Sequence, residues 1–262
     1  MTRRIKFVVQ YDGTDFRGWA AQSGQRTVQS TLTETVRKVS GEDVEITGAS
    51  RTDSGAHARM QVCHFDSSVG IEPANWSKAL NPVLPKDLAV LSSRQVPLSF
   101  DSRFSAESRW YRYRIANGNR RPLEMRYAHH EWRTLDVTRM QLASEMLVGK
   151  HDFRAFTEEL DPWIDNTTRR LYSVEVRDRG SEVWIDIVGT AFLRGMMRRI
   201  SGCLMEIGLG KRPMSDIETM FLNPSDPGIH LPTVLPAKGL TLMKVKYGKK
   251  RDNRATSFNN DF

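Results

Sequence analysis

Apolar and polar positions alternate with period two over residues 5–9, which predicts a strand ending at the turn Asp12-Gly13-Thr14. From Thr27 the period changes. Val28, Leu32, Val36 and Val39 fall at helical spacing behind a residue suited to cap a helix. A short strand is expected over 44–47, then a polar run over 50–58, then a strand over 61–66. Residues 75–80 form a short apolar-periodic helix, and Pro82 and Pro85 break the chain after it. Residues 96–101 are expected to form a connector, and the first domain to end near residue 105.

The second half opens with Trp110-Tyr111-Arg112-Tyr113-Arg114-Ile115. In a strand this gives one aromatic face, with Tyr111 and Tyr113, and one basic face, with Arg112 and Arg114. Asp136 is placed to cap a helix with Met140, Ala143 and Leu147 inward, and Gly149 to end it. Strands are expected over 174–176 and 183–188, on either side of a turn at 179–181. The strongest helical pattern runs over 192–207. Phe192, Met196, Ile200, Cys203, Leu204 and Ile207 make its inward stripe, with Arg194, Arg198 and Ser201 opposite. Ser215 with Glu218 reads as a capping box for a further short helix. A last strand is expected over 240–247.

Helices alternate with strands in both halves, which predicts an α+β fold of two domains, each with a mostly antiparallel sheet backed by helices. The expected domains are 1–105 and 106–248, followed by a polar tail over 249–262.

Charge adds a partner class. The 262-residue chain carries 39 Lys and Arg against 31 Asp and Glu, a net charge of +8. Such an excess suits a polyanion, nucleic acid above all. From Arg94 to Arg133 there are nine Arg, no Lys and four acids. Arginine without lysine favours planar, bidentate recognition of phosphates and bases. No apolar run approaches the roughly 20 residues needed to span a bilayer, and the chain starts directly in a strand pattern with no cleavable apolar segment. Cys63 and Cys203 lie in apolar-periodic segments and read as reduced, buried thiols. A cytoplasmic protein is the expectation. His129 and His130 are adjacent on a strand and face opposite ways, so they are not read as a metal site.

The densest candidate chemistry is Ser50-Arg51-Thr52-Asp53-Ser54-Gly55-Ala56-His57-Ala58. It places a carboxylate in a tight Gly-containing turn, with an arginine two residues before and a histidine four after. Alone, such a turn reads first as a backbone cap.

A wider set of motifs resembles the tRNA pseudouridine synthase A family, from about residue 5 to 247. Residues 11–19 (Tyr11-Asp12-Gly13-Thr14-Asp15-Phe16-Arg17-Gly18-Trp19) are similar to its first motif, and Thr27-Val28-Gln29 to the opening of its first helix. Arg51-Thr52-Asp53 with Gly55, His57 and Ala58 resembles its catalytic motif. Leu80-Asn81 with Leu84-Pro85, then Phe100, Arg103, Phe104 and Tyr111-Arg112-Tyr113, follow in order. Phe192, Met196, Arg198, Ile200 and Gly202, and finally Gly239-Leu240, complete the set. Ser50, Ser54, Ala56, Ala20, Ser102 and Arg199 depart from the usual residues, and none removes required chemistry.

The resemblance implies a pseudouridine synthase fold with an active-site cleft between the domains. It also implies isomerisation of uridine to pseudouridine at positions 38–40 of the tRNA anticodon stem-loop. Asp53 would be the nucleophile. Tyr111, Arg51, Arg198 and Leu240 would bind the substrate nucleotide: Tyr111 by stacking, Arg198 as the fixed cation a shielded carboxylate needs, Leu240 as an apolar floor, and Arg51 beside the flipped base. Phe100, Asp101, Ser102, Arg103 and Phe104 would touch tRNA, with Arg109, Arg112, Arg114, Arg120 and Arg121 extending the basic surface. The family works as a homodimer. The reaction changes no oxidation state, so no cofactor and no metal are expected, in keeping with the lack of a P-loop or dinucleotide motif. Two other readings use the same residues differently. One is a non-catalytic RNA-binding module. The other is a metal-dependent nuclease with Asp12, Asp15 and Asp53 around a divalent ion.

Overall fold

The computed structural model describes residues 1–157, 166–226 and 228–248. Its elements, in chain order, are β1 (Arg3–Tyr11), α1 (Val28–Ser40), β2 (Thr47–Gly48), β3 (His57–Ser67), α2 (Trp76–Leu80), β4 (Leu88–Val96) and β5 (Ala106–Asn117). There follow β6 (His129–Glu131), α3 (Val137–Glu145), β7 (Gly149–Asp152), β8 (Thr168–Asp178), β9 (Glu182–Gly189), α4 (Met196–Gly208), α5 (Ser215–Leu222) and β10 (Leu240–Tyr247). Two compact units result. The first is Met1–Glu107 with Thr241–Gly248, and the second contains Ser108–Leu240. The expected tail over 249–262 lies outside the described residues.

In the first unit the strands run in the order β4-β1-β3-β10. β1 pairs antiparallel with β3 and with β4, β2 is antiparallel to β3, and β10 lies parallel to β3. Period-two burial of Ile5, Phe7, Val9 and Tyr11 turns one face of β1 into the core. Trp76 of α2 closes that face over Phe7 and Phe65. In α1, Thr27 caps the first turn through its side chain in a box with Ser30. Val28, Leu32 and Val36 are fully buried, each contributing about 1.5–3 kcal/mol over an exposed position.

In the second unit β5-β9-β8-β7 form an antiparallel set, and β6 runs parallel to β5. α3 and α4 supply a second core. Asp136 accepts from the Arg139 amide as the N-cap of α3, and Met140, Ala143 and Leu147 are buried as expected. The architecture is α+β with mostly antiparallel pairing.

Several expectations need correction. β4 is a strand over residues 88–96 for which the sequence offered no element, because a register shift opposite Val8 and Val9 breaks its alternation. The helix expected over 192–207 starts at Met196. Gly195 precedes it in the left-handed region at φ 68°, which leaves Phe192 in the approach to the helix. Ser201 is buried rather than solvent-facing, and its hydroxyl donates to the Met197 carbonyl. The Ser215–Glu218 capping box does not form. Ser215 is already the first helical residue, behind Met214. Gly149 opens β7 instead of ending α3. Both cysteines are free and buried, and burial pushes the Cys203 thiol up to about 12.

Candidate functional site

The turn that carries Asp53 is shaped by close backbone approach. Gly13 lies against Ala56, where a Cβ would sit 1.9 Å from the Ala56 carbonyl oxygen. Gly18, at φ 86°, lies against the Thr52 carbonyl, where a Cβ would come within 2.7 Å. The backbone then closes on itself. The Trp19 amide donates to Thr52 O (3.1 Å), the Gly55 amide to Phe16 O (3.2 Å) and the Ala56 amide to Asp53 O (3.1 Å). Buried Thr52 shares a hydrogen bond with the Tyr11 hydroxyl at 2.8 Å. Thus the motif over residues 11–19 is the bed on which the Asp53 turn lies.

His57 belongs to this support. Its Nδ1 accepts the Gly13 amide at 3.0 Å. The Asp12 carboxylate also lies 3.2 Å from that nitrogen, but an Nδ1 already used as an acceptor has no proton to give it. Asp12 itself accepts from the amide and hydroxyl of Thr14. Among the described residues no three His, Cys, Asp or Glu side chains group as a metal site, so the carboxylate trio of the nuclease reading is not assembled. Against this buried support, Asp53 stays half-exposed and Arg51 exposed.

The stretch 100–104, also in the first unit, separates into buttress and exposed residues. Ser102 is fully buried, donates to Thr47 O at 2.7 Å, and gives its amide to His64 Nδ1 at 3.1 Å. Burial and the nearby Arg4 charge hold His64 below its ordinary pKa, which suits this acceptor role. Asp101 accepts the amides of Arg103 and Phe104, each at 2.7 Å. Phe100 packs on Tyr247, and Lys6 sits over both rings. Arg4 holds the Leu98 and Phe100 carbonyls. Arg103 is exposed, and Phe104 is 78% exposed. Of the five expected tRNA contacts, Ser102 is therefore internal and Asp101 shapes the loop, while Arg103 and Phe104 reach solvent.

In the second unit, β5 presents its two faces as expected, with Tyr111 and Tyr113 buried. The basic face meets acids of β9. Arg112 holds Asp186 bidentately at 2.9 and 3.0 Å and stacks 3.9 Å over Trp184. Arg114 holds Glu182, and Arg109 donates to Thr190 O. The expected extension of the RNA surface through Arg109, Arg112 and Arg114 is corrected: their guanidiniums bond to groups within the same unit. Arg120 and Arg121 remain exposed.

Tyr111 meets Phe192 edge-on at 5.1 Å, which gives Phe192 a packing role although it precedes α4. Arg198, in the first turn of α4, is half-exposed and donates through Nε to Leu235 O at 2.7 Å. Leu240 is buried at the start of β10. Just before it, Gly239 lies so close to the Tyr113 ring that a Cβ would sit 2.7 Å from it. Sequence reasoning gave no role to His64 and Glu206, and placed Tyr113 only on the aromatic face of its strand. Glu206 had a visible signal, being a lone carboxylate in the apolar half of α4.

The sequence matches the tRNA pseudouridine synthase profile over residues 7–105 and 143–248. It is 39% identical to tRNA pseudouridine synthase A of Brevibacillus brevis over 94% of this chain and 100% of that protein. It is 38% identical to the Geobacillus kaustophilus tRNA pseudouridine synthase A, covering 94% of this chain and 95% of that one. Against the protein of that name from Citrifermentans bemidjiense it is 36% identical over 95% of this chain and 100% of the other. The matched segments contain the Asp53 turn, the 98–105 loop and the helix bearing Arg198, and the chain belongs to the tRNA pseudouridine synthase family.

Proposed function

We propose that this isomerase converts uridine to pseudouridine at positions 38–40 of the tRNA anticodon arm, with Asp53 as nucleophile and no cofactor. The N1–C1′ bond breaks, the uracil turns, and a C5–C1′ bond forms. N1 gains a proton and C5 loses one, so neither electrons nor an energy donor enter. Asp53 attacks the nucleotide or stabilises charge on its sugar. Tyr111 stacks on the flipped uracil and assists removal of the C5 proton, Arg198 supplies the cation, and Leu240 excludes water. Arg51 holds the flipped state, with Arg103 and Phe104 on the tRNA body.

One observation carries this reading. In the matched family motif, Thr52, Ala56 and His57 are buried and lock the backbone on either side of half-exposed Asp53. The glycine contacts at 13 and 18 fix this turn around Asp53, and a reacting carboxylate needs such a preorganised backbone. The protein acts as a cytoplasmic homodimer on this reading, and sedimentation at twice the chain mass is expected.

Primer extension through carbodiimide-treated tRNA transcript tests the target. After incubation with the enzyme, stops one nucleotide 3′ of positions 38, 39 or 40 are expected where those are uridines. Stops confined to other positions would refute the anticodon-arm assignment.

A further inference from the structure

Residues 232–239 cross α4 and lead into β10. They form a strap held largely by side chains of the second unit. Arg199 Nη1 donates to Pro232 O at 2.9 Å. The amide and hydroxyl of Thr233 donate to Glu206 Oε1 at 2.9 and 2.6 Å. Arg198 Nε donates to Leu235 O at 2.7 Å, and the Tyr113 hydroxyl donates to Pro236 O at 2.7 Å. Gly202 permits the crossing, since a Cβ there would lie 1.8 Å from Thr233 O. A cavity of about 430 Å³, lined in part by Glu206, Arg212, Thr233, Leu235 and Pro236, opens beside the strap. Leu235 anchors the strap in the core at 1% exposure, and its amide donates to Arg198 O at 3.4 Å; at exposed Thr233 the hydrogen bonds to Glu206 hold the strap.

We propose that Glu206 is a positioning residue for Arg198, acting through Thr233 and the strap; this rests on the reading of Arg198 as the active-site cation. The two residues are eight apart on α4, roughly 12 Å along the axis, so they act on one another through the strap. Glu206 fixes Thr233, and Leu235, two residues on, orients the Arg198 guanidinium. The carboxylate is itself anchored. Its other oxygen accepts Arg212 Nε at 2.7 Å, and buried Arg212 is held in turn by Asp216 at 2.8 Å. The network thus joins the far end of α4 to the carbonyl that aims the guanidinium at its start.

Thr233 is exposed, so Thr233→Val removes one donor without opening a core cavity. The experiment measures single-turnover tritium release from C5-labelled tRNA, and tRNA affinity, for wild type, T233V, T233S, R198A and R198A/T233V. The rate of T233V should fall about threefold to tenfold, as for one lost hydrogen bond, with tRNA affinity unchanged. T233S should recover the rate, and T233V should cost nothing further on the R198A background. A wild-type rate for T233V, a loss confined to tRNA affinity, or the same fold-loss on the R198A background would overturn the inference. A wild-type rate for R198A would sink the assignment of Arg198 and the inference with it, and that single variant tells the two failures apart.

Discussion

The Asp53 turn and the 232–239 strap each present a motif of the family, and they are held by different forces. At the turn, glycines let backbone meet backbone, and the contacts of Gly13 with Ala56 and of Gly18 with Thr52 leave no room for a side chain. At the strap, apart from the Gly202 crossing, polar side chains reach across to carbonyls and one hydroxyl. A steric bed fails abruptly when a methyl group is added. A hydrogen-bonded strap fails by degrees, one donor at a time. Asp53 thus rests mainly on steric support.

The largest expected effects are steric and fall at the glycine contacts of both regions. Gly13→Ala forces the Ala56 carbonyl aside and should destabilise by about 1–3 kcal/mol or more, with activity falling further than stability. Denaturant unfolding and tritium release on the same samples measure both. Gly202→Ala is the matching steric test at the strap, where a Cβ would meet Thr233 O at 1.8 Å. Comparable damage is expected there, and a mild effect would mean that the strap can shift without loss.

A second contrast separates arginines paired within the fold from those that reach solvent. Removing Asp186 leaves the Arg112 charge buried without its bidentate partner. D186A should cost about 3–5 kcal/mol of stability. Arg103→Ala should leave stability within about 0.5 kcal/mol and weaken tRNA binding in a salt-dependent way. Reversed outcomes would mean that the basic face of β5, not the 98–105 loop, meets the tRNA.

Smaller effects refine the account of the strap. Tyr113→Phe deletes one donor to Pro236 O, at a cost of about 0.5–1.5 kcal/mol, read by thermal unfolding. Glu206 adds a pH signature. Burial pushes its carboxyl up, but the Thr233 hydrogen bonds and Arg212 outweigh this and hold it below the ordinary glutamate value. Its stabilisation is therefore present above the unfolded-state pKa and is lost as pH falls through the lower folded value. Glu206→Gln should flatten the acid limb of the stability curve in that window, and an unchanged limb would show that Glu206 does not contribute to it.

Much of this molecule was legible in its sequence, and the misses share a cause. Thr27, Asp136 and the alternation of β1 act locally, over a few residues, and read correctly. β4 escaped because a bulge spoils its period. Arg112 and Arg114 read as a basic face because their neutralising acids, Asp186 and Glu182, lie about 70 residues away on β9. The resemblance alone put Ser102 among the tRNA contacts, and nothing local shows that His64 and Thr47 enclose it. The start of α4 was misplaced because hydrophobic spacing continues through Phe192 while Gly195 breaks the backbone. Asp53 stood out because its support, the run from Tyr11 to Trp19, is also a sequence motif.

The central claim is that Asp53 performs the isomerisation. Tritium release from C5-labelled tRNA transcript, in the presence of a chelator, tests it most directly when wild type is compared with Asp53→Asn. The account predicts release by wild type and none by the variant, with the variant still folded and still binding tRNA. Release by Asp53→Asn at the wild-type rate, or no release by wild type while tRNA binding is retained, would contradict it.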